Sequence, residues 1–144
     1  MAQSRAKTTA ISTGRRSICF NRKELPRQLE RALVKAWSQE TSFDPSGWSR
    51  HNPAWGQCAV TALIVQDHLG GKLISGKVNG IPHYWNRLAA DQDIDLTIQQ
   101  FGKTIRRAGV KECERDYVLS FPETQQRYQR LQERVTNVLT PSRA

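Results

Sequence analysis

Cysteine is scarce in this chain, and its spacing excludes more than its number. The 144 residues include three cysteines, Cys19, Cys58 and Cys113. Widely separated and odd in number, they make no disulfide framework and fit a reducing compartment. No Cys-x-x-Cys and no His-x-x-x-His pair occurs, so no metal site is expected. No Gly-rich phosphate loop of the Walker or dinucleotide type is present either, and the reading carries no cofactor. No apolar run reaches the roughly eighteen residues that span a bilayer, so no membrane helix is expected. The N-terminus lacks the apolar core of a secretory signal, which makes the cytoplasm the expected location.

Acid is also short: Asp and Glu number 13 against 22 Lys and Arg, a net charge of +9. Residues 1–23 carry Arg5, Lys7, Arg15, Arg16, Arg22 and Lys23 and no acid at all. With Ser, Thr and Gly interspersed, residues 1–20 read as a flexible basic tail, solvated or touching nucleic acid or an acidic partner. Residues 21–144 read as one domain with enough apolar chain for a core.

Periodicity then orders the elements. Leu25, Leu29, Ala32, Leu33, Ala36 and Trp37 share one face of a helix expected from Lys23 to Gln39, with Pro26 in its first turn. Residues 40–56 form a loop rich in turn formers and contain Trp48 and Trp55. A buried helix starts at Cys58 and stops at Gly70-Gly71. Lys72–Val78 and Ile81–Leu88 make a hairpin around Asn79-Gly80, and Asp93–Leu96 adds a third strand. Ile98–Ala108 is expected to be a short helix ended by Gly109, and Glu112–Leu119 a further strand. A last helix opens at Phe121-Pro122, with Tyr128, Leu131, Val135, Val138 and Leu139 as its apolar stripe. The class is α+β.

Three strings carry chemistry: Gly56-Gln57-Cys58, His83-Tyr84-Trp85-Asn86 and Asp93-Ile94-Asp95-Leu96-Thr97. A cysteine nucleophile needs a base to ionise it and a carboxylate to orient that base. Cys58 at a helix start gains from the positive end of the helix dipole, and its own N–H can help hold an oxyanion. His83 follows Pro82, which confines that stretch to a strand edge or end. His68 lies ten residues after Cys58, roughly 15 Å along the helix, too far to act as its base. His51 remains a rival. Asp95 is twelve positions from His83, an even separation that lets both side chains share a sheet face. Asp93 has the same parity and stays open as an alternative. Asn86 is three positions from His83 and faces the other way. Trp48, Trp55 and Trp85 are candidate cleft walls, and Asn52 and Gln57 candidate oxyanion donors.

The same strings resemble those of transglutaminase-like cysteine proteins: Gly-Gln-Cys, His-x-Trp and Asp-x-Thr. More closely, Asn52-Pro53-Ala54-Trp55-Gly56-Gln57-Cys58-Ala59-Val60-Thr61-Ala62-Leu63 with His83–Leu88 is similar to the YunG-like family of small bacterial proteins. Ser38–Ser42 and Thr124–Tyr128 fit the same resemblance, which spans roughly residues 35–135. It implies a papain/transglutaminase-like fold and a Cys58–His83–Asp95 triad. Two features depart from it: the basic tail, and a turn at Ala89-Ala90-Asp91-Gln92 that lacks the expected glycine.

The expected function is thiol-dependent acyl chemistry on an amide or ester, protein side chains included. Hydrolysis, deamidation and transfer to an amine share the acyl-enzyme step. A non-catalytic module using the basic surface for nucleic acid or an acidic protein is the reading from another class. A secreted effector acting on host proteins is a third.

Overall fold

The computed structural model describes residues 24–140. The basic tail, the boundary at residue 21 and Cys19 lie outside the described residues.

Helix α1 spans Leu25–Ala36 and buries Leu29, Ala32, Leu33 and Ala36, the i, i+3, i+4, i+7 face. It stops three residues earlier than its periodicity predicts. Trp37 leaves the helix with extended backbone, and its indole Nε1 donates to Thr61 Oγ1 at 2.9 Å. Ser38 then caps a 3-10 turn over Gln39–Thr41, with reciprocal bonds between the Ser38 and Thr41 side chains and backbones.

Helix α2 spans Cys58–Leu69 and buries six consecutive residues, Val60 to Val65. Its position explains why it is apolar on most sides. Val60, Ile64 and Val65 pack with Leu29, Leu33, Leu131 and Val135 in one core. Ala62 and Leu63 pack with Leu73 and Val118 in another. The helix is held between helices and sheet, and each fully buried Leu or Ile there stabilises by about 1.5–3 kcal/mol.

The sheet is antiparallel in the order β3-β2-β1-β4, with β1 at Lys72–Val78, β2 at Ile81–Leu88, β3 at Gln92–Ile94 and β4 at Arg107–Cys113. The β1–β2 turn places Asn79 and Gly80 at φ of 53° and 82°, the geometry an Asn-Gly hairpin requires. The turn without glycine, between β2 and β3, holds Ala90 at φ 63° and Asp91 at φ 54°.

Two expected elements are replaced. Ile98–Ala108 is not a helix: a 3-10 turn at Ile98–Phe101 ends at Gly102, and the chain enters β4. Gly109 ends nothing; it sits in β4 at φ 63°, where the register against β1 shifts between Ser75 and Lys77. A helix cap and a bulge both require positive φ, so one glycine signals either. Glu112–Leu119 is likewise no strand. Its first residues finish β4, and the rest form helix α3, Arg115–Leu119. Arg115 fixes that helix by donating to Gln66 Oε1 at 2.8 Å and Asp67 Oδ1 at 2.9 Å, both on α2. Helix α4, Pro122–Leu139, closes the fold and buries Thr124, Leu131 and Val135. No helix among the described residues is long and apolar enough to cross a membrane.

Candidate active site

The segment before Cys58 is held from several sides. Gln57 is fully buried; its Oε1 accepts from Thr41 Oγ1 at 2.8 Å and its Nε2 donates to Ser38 O at 3.0 Å. Arg134 of α4 donates to Ser38 Oγ at 2.7 Å from behind and pairs with Glu40. Phe43 N donates to Gly56 O at 2.7 Å, and Ser42 Oγ to Trp55 O at 2.8 Å. Gly56 stands at φ 75°, and a Cβ there would lie 2.1 Å from Ser42 Oγ. Only glycine fits both that conformation and that approach. The chain then turns into α2 with Cys58 as first residue and no side-chain cap over the first turn, whose N–H groups have no partner within the helix.

His83 lies on the first half of β2, which pairs only with β1; β3 reaches no further than Asn86. Pro82 is accommodated for that reason. Beyond β3 the chain runs on to Asp95, diagonal to His83. His83 Nε2 donates to Asp95 Oδ2 at 2.8 Å, and both side chains are nearly inaccessible to solvent. Asp95 Oδ1 accepts from Thr97 N at 3.2 Å and Thr97 Oγ1 at 3.3 Å, so the Asp-x-Thr string fixes its own carboxylate. The His83 ring stacks on Trp85 at 5.6 Å and takes the edge of Phe101 at 4.8 Å. Arg107 lies over Trp85 at 5.4 Å and 3.9 Å from Asp95 Oδ2.

Asp93 is used differently. It faces Arg87 across the ladder, takes that guanidinium at 2.6 Å, and accepts from Trp85 Nε1 at 2.9 Å. The hydrogen bonds to Arg87 and Trp85 hold its pKa below the ordinary value against the opposing effect of burial. The two carboxylates are thus separated in role: Asp95 holds the imidazole, Asp93 holds the strand.

With Nε2 donating to Asp95, Nδ1 is the nitrogen left for Cys58. Burial alone would lower the His83 pKa. The hydrogen bond to Asp95, then the influence of nearby Cys58, outweigh it and raise the value from 6.5 to about 9. Nδ1 is buried and makes no hydrogen bond among the described residues. Catalytic pairs are often misaligned in the free protein and tighten on substrate.

Cys58 opens into a cavity of about 580 Å³, lined by Phe43, Trp55 and Gly56 from the loop before α2 and by Val118, Phe121 and Arg127 from the α3–α4 region. That volume is ordinary for a small-molecule site.

Residues 25–140 match the family described as YunG protein. The chain belongs to the YunG family. It is 34% identical over 101 residues to the uncharacterised protein YunG of Bacillus subtilis (strain 168), a match covering 70% of this chain and 83% of that protein. No solved structure matches the chain. The YunG match takes in Cys58, His83, Asp95 and every residue of the cavity.

Within this YunG-family site several sequence-predicted residues take other positions. Trp55 lines the cavity, its Nε1 bound to Asp44 Oδ2 at 3.0 Å. Trp48 does not: its Nε1 donates to Pro53 O at 2.9 Å inside the loop. Trp85 is buried beneath His83 and supports the ring rather than walling the cleft. Asn52 donates to Gln100 O at 3.3 Å, and Gln57 is committed to Ser38 and Thr41, so neither side chain is placed to hold an oxyanion. His51 is exposed on the loop, and His68 sits in the last turn of α2. Asn86 donates to Ala62 O at 2.9 Å, tying β2 to α2. Among the described residues no group of three or more His, Cys, Asp or Glu is placed to hold a metal ion.

Two residues escaped the sequence reading. Gln100 lines the cavity and accepts from Gly56 N at 3.3 Å. Arg127 enters it from α4, four residues before the buried Leu131. A charge on the apolar face of an amphipathic helix is the signal that marks it.

Proposed function

We propose that this YunG-family chain performs thiol acyl chemistry on an amide or ester, with Cys58 as nucleophile, His83 as base and Asp95 as the orienting carboxylate. One observation carries the reading: Asp95 fixes one nitrogen of a buried imidazole at 2.8 Å and leaves the other for a thiol that opens into an apolar cavity. As base, His83 takes the Cys58 thiol proton on Nδ1.

The thiolate of Cys58 attacks the substrate carbonyl carbon, forming a C–S bond and an oxyanion. The Cys58 N–H, in the uncapped first turn of α2, is the donor we assign to that oxygen. When the tetrahedral species collapses, the C–N or C–O bond breaks and His83 gives its proton to the leaving amine or alcohol. Water or a second amine, deprotonated by His83, then attacks the thioester and releases Cys58. Asp95 keeps the imidazole in one tautomer and orientation throughout.

The helix-start cysteine, with His83 on a following strand and Asp95 just past the end of the next, supports a place among papain/transglutaminase-like proteins, and the free thiols suit a reducing cytoplasm. The test is labelling by an electrophile library, compared with Cys58→Ala. Iodoacetamide at pH 6 is expected to modify Cys58 far faster than Cys113, whose pKa is raised by burial. Equal rates at the two sites sink the nucleophile claim.

A further inference from the structure

The side of the cavity built from α3 and α4 contains a cation with no counter-ion. Arg127 is half-buried, and among the described residues no carboxylate lies within 4.0 Å of its guanidinium. Its Nε is buried with no hydrogen-bond partner. One terminal nitrogen makes a long 3.3 Å bond to Thr124 Oγ1, and the group lies 5.6 Å over the Phe43 ring. Burial lowers its pKa, while the charges of Glu123 and Cys58 raise it.

The acids around it do not neutralise it. Asp44 is occupied by Trp55 Nε1 at 3.0 Å and Ser46 Oγ at 3.1 Å. Glu123 is exposed, one helical turn earlier on the same helix. The rest of the cavity is largely apolar, and Phe43, Ile81 and Phe121 leave large hydrocarbon surfaces exposed at its mouth. A planar guanidinium with free donors matches a carboxylate in two parallel hydrogen bonds. An apolar wall beside it matches an aromatic or aliphatic body.

We infer that Arg127 anchors a carboxylate of the substrate, so that the acyl compound presented to Cys58 has an apolar body and a free carboxylate, of N-acyl amino acid size. The inference rests on the reading of Cys58 as nucleophile. Arg127 takes the anion, Phe43, Val118 and Phe121 hold the body, and the carbonyl is left facing the thiol.

Two chloroacetamides that differ by one charge test it: N-chloroacetyl-phenylalanine and N-chloroacetyl-phenylalaninamide. Each alkylates by forming a C–S bond to Cys58 and releasing chloride. The readout is the ratio of the two alkylation rates at pH 7 on the full chain, which cancels changes in thiol reactivity between variants. The wild type is expected to favour the carboxylate by about tenfold. The ratio should fall to about one in Arg127→Gln, and at least threefold in Arg127→Lys, which keeps the charge and stem but loses the fork. Should Arg127→Gln not fold, the Lys variant decides. A wild-type ratio within twofold overturns the anchor, and so does a ratio that survives the substitution, which would assign the charge preference to the His83 imidazolium. Iodoacetamide separates the two levels. Fast labelling of Cys58 with a flat ratio rejects Arg127 alone; slow labelling rejects the nucleophile and the anchor with it.

Discussion

The two walls of the cavity are built on opposite plans. The wall from Ser38 to Cys58 is dense with directed bonds: Thr41 and Ser38 to Gln57, Phe43 to Gly56, Ser42 to Trp55, Gln100 to Gly56. The wall from α3 and α4 is sparse. Val118 is packed, but Phe121 is largely exposed and Arg127 has donors to spare. The first wall places one sulfur atom and tolerates little change. The second can vary its side chains without moving the thiol. Under the proposed function, position and choice fall to separate parts of the chain.

Substitution tests the contrast most strongly at Gly56. A Cβ at 2.1 Å from Ser42 Oγ, on a residue at φ 75°, forces the Phe43–Gly56 contact apart. Gly56→Ala should lose about 3 kcal/mol or more of stability in urea titration. Phe121→Ala, on the sparse wall, should lose under about 1 kcal/mol. Similar losses at both sites would erase the distinction.

The imidazole gives the next effect. The folded His83 pKa, about 9, lies above its ordinary 6.5, raised against burial by Asp95 and then Cys58, so those contacts stabilise the fold fully below pH 6.5. That stability is lost as pH rises through about 9, by up to roughly 3 kcal/mol. Urea midpoints from pH 6 to pH 10 should show the fall in wild type and a flatter profile in Asp95→Asn. A wild-type profile without slope in that window removes the raised pKa.

Smaller again is the difference between the two carboxylates. Asp95→Asn should slow Cys58 alkylation at pH 6 by roughly tenfold, since one unit of imidazole pKa is worth that factor. Asp93→Asn should change it less than about twofold, its bonds going to Arg87 and Trp85. Reversed sensitivities would mean that the strand presents the other carboxylate. The smallest effect lies far from either wall: Ala90→Gly relieves φ 63° and should add about 0.5–1 kcal/mol in thermal melts.

Legibility followed locality. Helix α2, the Asn79-Gly80 hairpin and the His83–Asp95 face could be read because each depends on neighbours in sequence, through an apolar run, a turn pair and an even spacing. The periodicity of α1 runs three residues past its true end because Trp37 is pulled out by Thr61, a contact no local pattern announces. Ile98–Ala108 and Glu112–Leu119 are not legible because Gly109 carries the same signal in a bulge as in a helix cap, and because α3 is too short to show a period. At the site, Cys58, His83 and Asp95 stood out by residue type and order. The burial of Gln57 is not legible in the sequence because its partners, Ser38 and Thr41, lie 19 and 16 residues away.

Strand β4 forms a free rim of the sheet, with six of its seven residues exposed. A straight rim of that kind invites a second chain to add its own strand. Here the backbone kinks at Gly109, where two residues of β4 stand against one of β1, and Arg107 and Lys111 flank the kink with positive charge. An incoming strand would meet broken register and like charge when it came from another copy. An edge broken in this way is a poor template for strand addition, and straightening it would remove that obstacle.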